Sequence, residues 1–397
     1  MIYIDHPYVS DYIKKTIQDN FINVVDTAQA RELLGDSGTY SFITPAEALR
    51  RYSSGEDTAI YTNSENGLGD ISKHLDTAGI SEKIAVFKDK ILFRDHITDQ
   101  YPDFFYTSSA LSDLADVDPA GLCFPCIVKP AIGFFSVGVH KVNKIDEWSF
   151  AVRDIQKSLA DAAGTYPEAV LNSSQIIIEE CIEGEEFAFD AYFDASGNPV
   201  IFGIYKHLFS SKDDLSDRIY ITSREIIAEY LVPFTQFLKS AGSKSELRNY
   251  PLHAEIRISE KYGIIPIEIN PLRFGGWCSL PDMSKYAYGF NQYEFFFENM
   301  HPDWSKIQQE MGEYIYSIIV LDNSTGIHPG LISSFDAEAL KKTLSEPLEF
   351  RPIDVIKYGV FGFVFAKTHK RDIDELYHLL QSDLKEFILY TFNDKTV

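Results

Sequence analysis

The sequence predicts two β architectures in one chain: a small parallel α/β domain first, then α+β subdomains built on antiparallel hairpins. Three observations predict this. Residues 1 to about 80 alternate short apolar strands with helical stretches; from about 84 that rhythm gives way to longer strands joined by glycine turns; and one late hairpin has an apolar face and a polar face.

In the first part, "MIYI", "INVVDT", "SFIT" and "AIYT" read as strands. "VSDYIKKTIQ", "TAQARELL" and "TPAEALRRY" read as helices, the last with Thr44 as its cap and Pro45 in its first turn. Beyond "KIAVFKDKILFRDHI" and a mixed segment come strand "CIVKPA", glycine loop "IGFFSVG", strand "VHKV" and a helix from Asp146 to Ala163. "SQIIIEECI" follows as a buried strand. "EEFAFDAYFDASGNPVIFGIYKHLF" is a hairpin turning at Ser196-Gly197-Asn198-Pro199, and helix "TSREIIAEYLVPFTQFLKSAG" leads to a second hairpin, "LHAEIRISEKYGIIPIEIN". The tail mixes strands "YIYSIIVLD" and "YGVFGFVFA" with a closing helix, "IDELYHLLQSDLKEFILYTF". No internal repeat or low-complexity tract is visible.

Composition sets the bounds on function. At 397 residues, with 45% hydrophobic and 14% aromatic side chains, the chain is globular and long enough for two to four packed subdomains. Lys+Arg 36 against Asp+Glu 59 gives a net charge of -23, which repels nucleic-acid backbones and anionic membranes. A bound polyphosphate must therefore meet local cations or a metal ion. No run reaches the roughly eighteen apolar residues of a membrane span. The start, "MIYIDHPYVS", carries no secretory pattern, so a cytoplasmic location is expected. Cys123, Cys126, Cys181 and Cys278 are too few for a disulfide scaffold, and their apolar strand-like settings predict buried structural thiols. The C-x-x-C at Cys123 and Cys126 lacks the second pair that a zinc site needs.

Side chains alternate faces along a strand, so in "HAEIRIS" His253, Glu255 and Arg257 share a face, and in "IIPIEIN" Glu268 and Asn270 do. A turn centred between Lys261 and Tyr262 would set Glu255 across from Glu268 and His253 across from Asn270; a bulge at Gly263 would shift that pairing by one. Facing carboxylates repel. A divalent cation such as Mg2+, which takes hard oxygen ligands, reverses the sign, and a solvated outer face is the alternative. Lys129, near the end of its strand, precedes a loop bounded by Gly133 and Gly138 with Ser136 inside it. Such a loop can turn its N–H groups around an anion while the lysine supplies charge, although the same glycines suit a structural turn. Neither a Walker A loop nor a dinucleotide-type glycine motif is present.

The order of "IVKPAIGFFSVGV", "IIIEECIEGEEF" and "HAEIRIS…IEINPLRFGG" resembles the ATP-grasp superfamily, whose members include biotin carboxylase, D-alanine-D-alanine ligase and the L-amino-acid ligases. The resemblance covers roughly residues 84–300; the N-terminal α/β domain is compatible with the family's preceding domain, and "NSEN" at 63–66 is similar to a stretch in that domain of biotin carboxylase. It implies an N-terminal parallel α/β domain at 1–83, a first ATP-grasp subdomain with the glycine loop at 84–178, a second with the metal-binding hairpin at 179–301, and a C-terminal α+β segment at 302–397. ATP is implied as the nucleotide and Mg2+ as the ion, with Mn2+ as its substitute. Lys90 and Lys129 resemble the two nucleotide-binding lysines. Glu180, Cys181 and Ile182 match the linker whose backbone reads adenine, and Glu186 matches the acid that holds the ribose hydroxyls. Glu255, Glu268 and Asn270 match the metal ligands. His253 stands where many relatives have arginine, and Phe134 and Phe135 tip a loop that is often richer in glycine.

Arg273 resembles the position that pairs with a substrate carboxylate or acyl phosphate, for which its planar fork is suited. The implied reaction is ADP-forming ligation: a carboxylate is activated as an acyl phosphate and then joined to an amine, with amino acids among the candidate substrates. The implied partners are small molecules and a second copy in a homodimer, not nucleic acid or membrane. Two rivals stand beside this: a carboxylase of the biotin carboxylase type, for which no Met-Lys-Met carrier signature is present, and an ATP-binding regulator without catalysis.

Overall fold

Short, fully buried strands at Ile2–Tyr3, Val24–Val25 and Tyr61–Thr62, with Phe42–Ile43 at one edge, form a parallel sheet in the computed structural model. Their spatial order puts Ile2–Tyr3 between Val24–Val25 and Tyr61–Thr62. Each connection carries a helix whose start is fixed by a hydroxyl cap. Ser10 accepts the Ile13 N–H, Thr27 that of Ala30 and Thr44 that of Glu47, with Pro45 in the first turn as expected. The structure describes all residues except 36–37, 77–78, 134–137, 163–171, 212–213, 215 and 391–397.

The chain divides into two compact units. The first comprises residues 1–184, 191–200 and 236–278, and the second 185–190, 201–235 and 279–397. In the first unit, "KIAVFKDKILFRDHI" becomes two successive helices, Ile80–Lys88 and Lys90–Ile97, split at Asp89. Asp89 stops one helix and caps the next, accepting the Ile91 and Leu92 N–H groups at 2.8 and 3.2 Å. An antiparallel sheet follows in the order Tyr106–Ala110, Asn172–Glu180, Cys126–Ile132, His140–Val142. Val128, Val142, Ile176 and Ile178 from that sheet pack with Trp148, Ile155 and Leu159 of the helix Trp148–Ala162. The charged hairpin, Tyr250–Ser259 with Gly263–Pro271, belongs to this unit.

The second unit is an antiparallel ladder in the order Ile201–Leu208 (the outer part of strand Pro199–Leu208), Ile219–Ser223, Tyr314–Asp322, Val360–His369, Pro347–Pro352. Its core is aromatic, with Phe202, Tyr205 and Phe365 almost fully buried.

Two sequence expectations are corrected. The closing helix ends at Gln381; Leu384 takes a left-handed φ of +61°, a short 3-10 turn follows, and Ile388–Tyr390 is a strand paired with Ile332–Phe335. The β-branched and aromatic run "FILY" suits that strand better than a helix, and the break at Ser382-Asp383 separates the two. Cys123 is exposed, unlike the buried Cys126 and Cys278, because it precedes the strand that covers its neighbour; all four cysteines are thiols.

Candidate active site

The hairpin sets His253 opposite Asn270 and Glu255 opposite Glu268, the pairs expected for a turn centred between Lys261 and Tyr262. It arrives there by a different route. At the turn end Ser259 pairs with Gly263 and Ile256 with Pro266, a register one residue short of the required one. A bulge between Glu255 and Ile256 leaves Ile267 without a partner and restores it. The extra residue reverses the alternation of the strand. Ile265, on the turn side, and Glu268 and Asn270, beyond the bulge, thus share one face, whereas an unbroken strand would put Ile267 and Ile269 there.

On that face Asn270 Nδ2 donates to Glu268 Oε1 at 2.8 Å, and His253 Nε2 lies 3.4 Å from Glu255 Oε1. Glu268 Oε2 is 3.0 Å from Lys90 Nζ. Burial pushes the Glu268 carboxyl up, but Lys90 and Lys88 outweigh it and hold it well below the usual carboxylate range. Lys90 moves the other way: burial lowers it, Glu268 raises it, and the net is upward.

Lys90 opens the helix Lys90–Ile97, so Arg94, four residues on, lies on the same helix face. Lys129 and Arg94 converge on one carboxylate. Glu179 Oε1 is 2.5 Å from Lys129 Nζ, and Glu179 Oε2 accepts Arg94 Nε at 2.8 Å. All three are almost wholly buried. Against the burial penalty, Arg94 and Lys129 bring the Glu179 carboxyl down to about 2, while burial lowers Lys129 despite its partner. Lys88 and Lys90 each lie within 3.5 Å of the Gly133 carbonyl, where the glycine loop begins. Ser136, Phe134 and Phe135 lie outside the described residues.

Arg273 sits three residues past Asn270. Its Nε and Nη2 donate to Glu65 Oε1 at 3.1 and 2.5 Å, and its Nη1 to the Phe274 carbonyl at 3.0 Å. Lys88 Nζ takes the other Glu65 oxygen. Burial raises Glu65, but Lys88 and Arg273 win and its pKa is lowered; for Arg273 burial is outweighed by Glu65, then by Glu268 and Glu255, and the pKa is raised. A tight turn aims Glu65 here. Thr62 Oγ1 donates to the Ser64 carbonyl at 2.8 Å, and a Cβ on Gly67 would lie 2.4 Å from that hydroxyl oxygen.

The linker residues are partly committed. Glu180 N–H donates to the Phe105 carbonyl and Cys181 N–H to that of Pro125, at 3.0 and 2.8 Å, while the Ile182 carbonyl accepts Arg257 Nη1 at 2.5 Å. Ile182 also packs with Phe104 and Ile265, an apolar wall beside the linker. Glu186 belongs to the second unit. There His207 Nδ1 is 2.9 Å from Glu186 Oε1 and Nε2 3.0 Å from the Ser216 carbonyl, with the ring stacked on Tyr220. Burial lowers His207, but Glu186 prevails and its pKa is raised.

The structure thus gathers Lys90, Lys129, His253, Glu255, Glu268, Asn270 and Arg273 in one unit, with Glu180, Cys181 and Ile182 on its linker. It adds four residues that sequence reasoning did not assign: Glu65, Lys88, Arg94 and Glu179. Reading the lysine segment as a helix would have exposed Arg94, and Glu65 stood inside "NSEN". Among the described residues, no group of three or more His, Cys, Asp or Glu side chains forms a metal cage. Two facing carboxylates and an amide nonetheless fit a hard cation that fills its remaining positions with phosphate oxygens and water.

Residues 122–281 match the ATP-grasp domain family. Among solved structures, the L-amino acid ligase from Bacillus licheniformis superposes with a TM-score of 0.68 at 17% identity, over 98% of each chain. The N5-carboxyaminoimidazole ribonucleotide synthetase from Thermotoga maritima gives 0.62 at 13% identity over 98% of each chain. The biotin carboxylase of Campylobacter jejuni gives 0.60 at 12%, over 98% of this chain and 91% of that one. Among curated proteins, the L-arginine-specific L-amino acid ligase of Bacillus subtilis is 27% identical over 172 residues, 42% of this chain and 38% of that protein's length.

Proposed function

We propose that the protein is an ADP-forming ligase that joins a small carboxylic acid to an amine. The observation that carries this is Glu255 facing Glu268 across the hairpin, with Lys90 on Glu268 and Arg273 a turn further on. Facing carboxylates in a mostly buried sheet make sense around a cation, and the surrounding positive side chains around an anion. Glu255, Glu268 and Asn270 would hold Mg2+, or Mn2+ in its place, which when bound neutralises charge on phosphate oxygens.

Lys90 and Lys129 hold the phosphates of ATP, Lys129 oriented by Glu179. With the N–H groups of Glu180 and Cys181 already donated, the adenine edge falls to the Ile182 N–H and the linker carbonyls, beside the Ile182–Phe104–Ile265 wall. His253 stands in for the arginine common at its position. Arg273 orients the substrate carboxylate. A carboxylate oxygen attacks the γ-phosphorus and ADP departs; the amine nitrogen then attacks the acyl carbon, phosphate departs and the amine loses a proton. Nothing in this sequence needs a dedicated proton shuttle in the first step, in keeping with a site made of fixed charges.

Both comparisons with L-amino acid ligases support amino acids as the first substrates to try. The test is ADP release from Mg-ATP across pooled amino acids, other carboxylates and amines, with bicarbonate plus biotin as a separate arm and Glu268→Ala as control. Turnover only in the biotin arm would favour the carboxylase reading. Equal turnover by the control would sink the metal assignment. Nucleotide binding without turnover in any arm would favour a regulator.

A further inference from the structure

We propose that Arg94 is a positioning residue that couples the phosphate lysine to the metal-binding strand, so that nucleotide and divalent ion are bound as one set. The assignment rests on the nucleotide and metal reading above. Arg94 is 3% exposed and lies over the Phe104 ring, its guanidinium carbon 4.4 Å from the ring centroid. One side of the fork, Nε, donates to Glu179 Oε2 at 2.8 Å, and the other Glu179 oxygen holds Lys129. Nη1 donates at 2.8 Å to the carbonyl of Pro266.

Pro266 is the last paired residue before the bulge, and the next ladder pair is Glu255 with Glu268. Proline has no N–H, so its carbonyl is the one backbone group through which that point of the strand can be tied. One rigid planar group therefore fixes the side chain that aims Lys129 and the spot where the strand turns Glu268 into the site. A lysine, with a point charge on a flexible stem, can serve either partner but not both in one geometry. The third nitrogen, Nη2, is buried without a hydrogen-bond partner among the described residues, so the fork keeps a donor for an acceptor that the loaded site would bring.

The experiment measures ATP affinity by calorimetry with EDTA and again with excess Mg2+, in the full chain. The wild type is expected to bind ATP in EDTA and more tightly with Mg2+. Glu179→Gln should weaken binding in EDTA yet keep the ratio between the two conditions, because the tie to Pro266 survives. Arg94→Lys should weaken binding in EDTA and also shrink the Mg2+ enhancement, by about tenfold, the usual effect of removing a group that supports a metal ligand. Should Arg94→Lys fail to fold, Phe104→Leu removes the ring beneath the guanidinium and should lower the same ratio by a smaller factor. An undiminished Mg2+ ratio in Arg94→Lys or Phe104→Leu overturns the coupling while leaving the nucleotide reading intact. Absence of ATP binding by the wild type overturns that reading, and this assignment with it.

Discussion

Glu65 is bonded on one oxygen by Arg273 and on the other by Lys88, with all three side chains buried. Removing its charge strands two cations in a low-dielectric setting. Glu65→Gln should therefore cost about 3 kcal/mol of stability, as breaking buried ion pairs does, and urea unfolding would reveal it as a lowered midpoint with unchanged slope. A shift within experimental error would mean that the two cations relax without it. Glu179 gives a pH dependence of definite sign. Its pKa falls from 4.5 to about 2 on folding, so its contribution is complete above 4.5 and is lost as pH drops toward 2. Melting temperatures measured across that window should fall less steeply in Glu179→Gln than in the wild type. Part of this was legible in advance: period-2 alternation put Glu268 and Asn270 on one face and Glu255 with His253 on another strand's polar face, while their meeting depends on the bulge, and glycine spacing pointed to Lys129. Glu65 and Glu179 were not legible as site residues, because their partners Arg273, Lys88, Arg94 and Lys129 come from distant parts of the chain.

At the scale of elements, turns and bulges decide where those residues point. Gly184 follows the linker at φ +135°, and a Cβ there would lie 2.0 Å from the Ile258 carbonyl oxygen of the charged hairpin. Gly184→Ala must displace either the linker or that strand. A loss of about 1–3 kcal/mol from backbone strain, with more from the clash, is expected in thermal unfolding. Wild-type melting would refute it. The capped helices of the first sixty residues were readable because their caps are local, a hydroxyl bonding an N–H three residues on. The bulge at Ile267 was not. It depends on pairing partners, and the sequence reading reached the correct facing residues while placing the turn half a residue away. The final helix was over-extended for a similar reason: the run after Leu384 is a strand only because Ile332–Phe335 is there to pair with it.

The whole chain carries a net charge of -23, yet the candidate site gathers Lys88, Lys90, Arg94, Lys129 and Arg273. The long-range field would repel the anionic nucleotide proposed for this site, whereas the local charges would attract it. Added salt screens the first more than the second, because the local charges are buried and close to their ligand. Association of metal-free ATP, followed by stopped flow, should therefore become faster between low and physiological ionic strength. A slowing would show that the local charges dominate at long range as well. Among the described residues, no helix is long and apolar enough to cross a membrane.

The backbone bond from the Thr62 N–H to the Leu272 carbonyl, at 2.8 Å, sits beside the Glu65–Arg273 pair and makes the first strands part of Arg273's own support. For anyone building chimeras, this sets where the seams can go. A fragment cut to residues 122–281, the extent of the family match, would carry Arg273 and Glu268 away from Glu65, Lys88 and Lys90. Exchanging the first sixty-odd residues for those of a relative would replace the neighbour of the arginine rather than a detachable specificity cassette.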